Sequence, residues 1–162
     1  MTSGSAELLA ACAAYGLSTS HQLPRGPLLA EEFSTLLAQA EHHRLVGFLG
    51  AAVRDGALAV DADQHVALEE VLEGWLAHSL RVEALVLATA EELDKAAVPY
   101  RLFKGVALAN TIYADPGLRV FADVDVLVPS PDFGRAADVL ESALGAERAL
   151  PELTASPARP GT

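Results

Sequence analysis

Cysteine is nearly absent. Cys12 stands alone in 162 residues, so no disulfide forms within the chain and no cysteine cluster can hold a metal. Cations are scarce as well: nine Arg and two Lys face 22 acids, a formal net charge of −11. A field of that sign repels a phosphate backbone unless basic residues gather on one face, and the sequence holds no such cluster, so nucleic acid is not expected as a partner. Apolar runs stay far short of the roughly 20 residues a membrane-spanning helix needs. The opening MTSGSAELLA lacks the basic and apolar regions of a secretory signal. No membrane span and a cytoplasmic location are therefore expected. What is abundant is apolar and helix-favouring: 51% of residues are apolar and 31 are alanine, a globular, helix-rich profile long enough for one domain or two small lobes.

The surplus acid is unevenly placed. Residues 1–98 carry 14 acids and five bases, whereas 99–162 carry eight acids and six bases. The first part reads as helical. Residues 5–15 predict a short helix, and apolar positions from Leu28 to Leu49 at three- and four-residue spacings predict another over 27–52, with Gly47 and Gly50 near its end as breakers. Asp61 or Asp63 can cap a third stretch reaching about Ala97, read as one helix with a bend available near Gly74. Its glutamates are read as a solvated face and Trp75 as a core anchor.

Beyond Pro99 the texture changes. Tyr100–Phe103 is compatible with a strand, Val106–Tyr113 with a helix, and Ala114-Asp115-Pro116-Gly117 with a turn. The valine-rich run 120–128 predicts the best strand of the chain, and a helix follows Asp132. The expected fold class is α+β: a helical part over 1–98, a partial α/β lobe with a small mixed sheet over 99–149, and a proline-rich extended tail over 150–162.

Two features of this lobe bear chemistry. On a strand, Asp123 and Asp125 leave one face with Cα atoms roughly 6–7 Å apart, close enough for two carboxylates to share one hard cation. Two solvent-facing aspartates would show the same pattern, but aspartate is a poor strand former, and breaking a local rule twice in one strand points to function. The second feature is Lys104-Gly105 at a strand-to-helix junction, where free N–H groups, a glycine and a full positive charge suit phosphate; plain punctuation of the chain is the bland alternative. His42 and His43 diverge on a helix, and Cys12 reads as a small buried residue.

The span 101–145, RLFKGVALANTIYADPGLRVFADVDVLVPSPDFGRAADVLESALG, resembles the uncharacterised nucleotidyltransferase-like family of the polymerase-β-type nucleotidyltransferase superfamily. It shares a strand ending in Lys-Gly, a helix, a tyrosine followed by an Asp-Pro-x-x-Arg turn, and Asp-x-Asp in a strand. The resemblance implies Mg²⁺ held by Asp123 and Asp125 with a nucleoside triphosphate, phosphate contacts from Lys104 and Gly105, and Arg119 orienting a phosphate or anchoring the turn. It implies transfer of a nucleoside monophosphate to an unknown acceptor, a small molecule, peptide or protein. Two-metal transfer in such proteins also uses a third carboxylate from a following strand, and the acids after Gly145 are Glu147 and Glu152, beside or within the proline-rich stretch. Activity therefore stays open between a transferase and a catalytically impaired short form or fragment that serves as a protein-interaction module. A sheet lacking strands would expose an edge, which predicts a homodimer or coverage by the tail.

Overall fold

A computed structural model describes residues 3–17 and 22–149; the predicted tail over 150–162 lies outside them. The elements are α1 (Ser3–Ala13), α2 (Ala30–His42), α3 (Val46–Arg54), α4 (Ala62–Lys95), β1 (Arg101–Phe103), α5 (Gly105–Thr111), β2 (Asp125–Leu127) and α6 (Phe133–Leu144), with 3₁₀ turns at Pro116–Leu118 and Ser130–Asp132. The fold is α+β and mostly helical; among the described residues the sheet has two antiparallel strands rather than the mixed order expected, because β1 and β2 pair only with each other. The described residues fall into two compact units: Met1–Ser79 with Leu108–Ala122, and Leu80–Ala107 with Asp123–Thr162.

The first unit is built on the predicted apolar stripes. Phe33, Leu36 and Ala40 of α2, Val46, Leu49 and Ala52 of α3, Leu68 of α4, and Cys12, Leu58 and Val120 form one buried cluster. The helical stretch expected over 27–52 is two helices, and the break is not at a glycine. Arg44 takes a left-handed backbone (φ 59°) and the Leu45 N–H donates to the Ala40 carbonyl at 2.7 Å, closing α2. Gly47 and Gly50 instead lie inside α3, where they permit close packing. A Cβ at 47 would stand 2.2 Å from the Gly117 carbonyl oxygen, and one at 50 would stand 2.8 Å from Leu72 Cδ1. At α4 the capping residue is Asp61: its carboxylate accepts from Gln64 N–H (2.8 Å) while Asp61 N–H donates to the Gln64 side chain (3.2 Å), a reciprocal capping box. From there α4 runs without interruption through Gly74.

The second unit has a smaller core of Leu93, Val98 and Ala136, against which Tyr100, Val126, Val128 and Leu140 pack. Ala97 adopts φ 51°, Val98 N–H returns to the Leu93 carbonyl at 2.9 Å, and the Arg135 guanidinium donates to the Ala97 carbonyl at 3.1 Å. These contacts turn the chain from α4 into β1. The strands pair Arg101 with Leu127, Leu102 with Val126 and Phe103 with Asp125. The strand expected over 120–128 is thus confined to three residues. Val120 and Phe121 are buried, Val120 in the core of the first unit, and β1 offers only three residues to pair with before Lys104 turns away. Gly145 (φ 64°) closes α6 as a left-handed cap.

Candidate functional site

Lys104 follows directly on β1 and takes φ 53°, a left-handed conformation that costs a residue with a Cβ about 1 kcal/mol or more. The next residue, Gly105, is buried and opens α5. Because Phe103 pairs with Asp125 across the ladder, this turn sets the lysine beside the aspartate. The Lys104 Nζ lies 3.8 Å from Asp125 Oδ2 and 5.3 Å from the centre of the Phe103 ring. Both charged side chains remain open to water, Lys104 at 59% and Asp125 at 36% exposure. A pair so loose and so exposed adds at most about 1 kcal/mol to stability. At 3.8 Å no hydrogen bond is made, so the ammonium keeps its donors for another oxygen.

Asp123 is exposed and precedes β2. The strand geometry expected to send Asp123 and Asp125 out of one face therefore applies to Asp125 alone, since the backbone at 123 is irregular. Lys104, Gly105, Asp123 and Asp125 all belong to the second unit, whereas Arg119 belongs to the first. Arg119 closes the 3₁₀ turn, its N–H donating to the Pro116 carbonyl at 3.1 Å, and that turn is capped by Asp115, whose carboxylate accepts from Gly117 N–H at 2.9 Å. The Arg119 Nε is buried with no hydrogen-bond partner among the described residues. An unsatisfied guanidinium donor is costly to bury.

The donor set at 123 and 125 is two carboxylates with no thiolate or imidazole, which suits a hard cation. Among the described residues no three His, Cys, Asp or Glu side chains converge as a metal cage. Mg²⁺ is characteristically bound through one or two carboxylates, with water and substrate phosphates completing its shell. Asp123 and Asp125 fit that requirement.

Residues 30–152 match the family of uncharacterised nucleotidyltransferases. The chain belongs to this family. No match to the chain was found among curated proteins or among solved structures. The family match spans α2 through α6, so the helical segment and the Lys-Gly and Asp-x-Asp elements belong to one family pattern. No helix among the described residues of this nucleotidyltransferase-family chain is long and apolar enough to cross a membrane.

The other residues singled out from sequence take structural places. Cys12 is fully buried and desolvation pushes its thiol up to about 11, so it stays protonated and unreactive at neutral pH. His42 and His43 set their rings at 84° to each other. Trp75, read from sequence as a core anchor, does pack against the first unit's core, but it also lines a cleft with His78. The signal for that dual role was the four-residue spacing of Glu70, Gly74 and His78, which puts them on one helix face.

Proposed function

We propose that the chain transfers a nucleoside monophosphate from a nucleoside triphosphate to an acceptor. The acceptor's nucleophile forms a bond to the α-phosphorus, the bond from that phosphorus to the bridging oxygen breaks, pyrophosphate leaves, and the acceptor proton passes to solvent. The observation that carries this reading is the juxtaposition of Lys104 and Asp125 at the end of the β1–β2 ladder, in a chain of a nucleotidyltransferase family.

In this reading Asp123 and Asp125 hold Mg²⁺. The ion, when bound with the nucleotide, neutralises phosphate charge and polarises the phosphoryl oxygens. Lys104 turns its ammonium from Asp125 to a phosphate oxygen, and its left-handed backbone keeps the side chain next to the carboxylate. The Gly105 N–H adds a donor at the start of α5. Because that helix has only seven residues, its dipole contributes little, and the full charge of Lys104 carries most of the phosphate contact.

The test is transfer of label. The protein is incubated with each α-labelled nucleoside triphosphate, Mg²⁺ and a small-molecule and peptide extract. The reading predicts label in a new product with one nucleotide and its loss in Asp123→Asn and Asp125→Asn. Nucleotide binding without any transfer would favour the alternative, a catalytically impaired form acting as an interaction module.

A further inference from the structure

The first unit holds a cleft of about 450 Å³ that the nucleotide chemistry does not use. Its volume lies in the range of small-molecule sites, about 300–1,000 Å³. Glu70, Gly74 and His78 recur at four-residue steps along α4 with Val71 and Trp75 beside them, and Glu41 of α2 joins the lining. Three features bear on the ligand. The charge is of one sign: two glutamates and no lysine or arginine line the cleft, and neither glutamate makes an ion pair among the described residues. An indole is present, whose face attracts organic cations. The imidazole of His78 stands nearly perpendicular to that indole, with ring centres 5.7 Å apart, and its Nε2 is buried without a hydrogen-bond partner among the described residues.

We propose that this cleft binds a small organic cation, a molecule bearing a protonated amine that rests against the Trp75 indole. Glu41 and Glu70 meet its charge, and His78, set edge-on to the indole, holds the ring in place. An indole beside carboxylates suits an organic cation better than a bare metal ion, and no metal cage forms among the described residues.

Trp75 is the only tryptophan of the chain, so its fluorescence reports on the cleft directly. The full-length protein is titrated with three five-carbon probes of equal length: cadaverine (dicationic), 1,5-pentanediol (neutral) and glutarate (dianionic). We expect a saturable change with cadaverine alone. Glu41→Gln and Glu70→Gln are each expected to weaken it about tenfold, the loss of one charge-assisted contact. Gly74 lines the cleft and a Cβ there meets nothing within 4 Å, so the bulk added by Gly74→Leu is expected to abolish binding, with the fold checked by circular dichroism. The proposal is overturned by absence of a saturable response to cadaverine, by an equal response to the diol, or by unchanged affinity in both glutamine variants.

Discussion

At the scale of single residues, Lys104 joins strain to chemistry. Its positive φ favours glycine and its ammonium faces Asp125. Lys104→Gly relieves the backbone while removing the charge. We expect stability within about 1 kcal/mol of wild type by urea denaturation, together with a fall of about tenfold or more in affinity for the Mg²⁺–nucleotide. Unchanged affinity would remove Lys104 from the site. The Lys-Gly pair was legible in the sequence as a strand-to-helix junction, but the left-handed backbone was not, because lysine carries none of the local signals that glycine or asparagine gives. Cys12 supports a second prediction. Its thiol ionises near 9 when free and near 11 when buried. Between those pH values the unfolded chain loses its proton first, so the stability contributed below pH 9 declines toward pH 11, by on the order of 2 kcal/mol. Cys12→Ala is expected to lack that portion of the alkaline decline, as measured by urea denaturation from pH 8 to 11.

At the scale of elements, two helical glycines that look alike in sequence are expected to behave in opposite ways. Gly47→Ala drives a methyl group into the Gly117 carbonyl and the Leu118 backbone. It should cost about 2–4 kcal/mol, because the obstruction is main chain and cannot rotate aside. Gly74→Ala meets open space in α4 and should stabilise by about 0.5–1 kcal/mol through helix propensity alone. Thermal denaturation of the two variants separates these signs. The apolar stripe of α2 was readable from three- and four-residue spacing, and Asp61 was one of the two caps the sequence offered for α4. The boundary at Arg44 was not, since arginine gives no local signal for a left-handed backbone, and neither was the role of Gly47, which depends on a segment 70 residues away in sequence. For the same reason the run 120–128 misleads. Its β-propensity is real, but Val120 is claimed by a helical core and β1 offers a partner for only three residues.

At the scale of the whole molecule, the charge of −11 opposes the approach of a nucleotide that arrives without its counter-cation. Chelation of Mg²⁺ with EDTA is therefore expected to weaken nucleotide binding at least about tenfold, whichever base is used. Family membership and the α+β class were both legible, because the Lys-Gly, Asp-Pro-x-x-Arg and Asp-x-Asp elements lie within about 25 consecutive residues. The cleft lined by Glu41 and Trp75 was not, because it joins helices whose packing no local pattern encodes. The central reading is that Asp125, beside Lys104, and Asp123 bind a nucleoside triphosphate with Mg²⁺, and calorimetric titration of wild type and Asp125→Asn with Mg²⁺ and each nucleotide tests it most directly. Heat of binding to wild type that disappears in the variant is the predicted result; equal heats in the two proteins, or none in either, would contradict it.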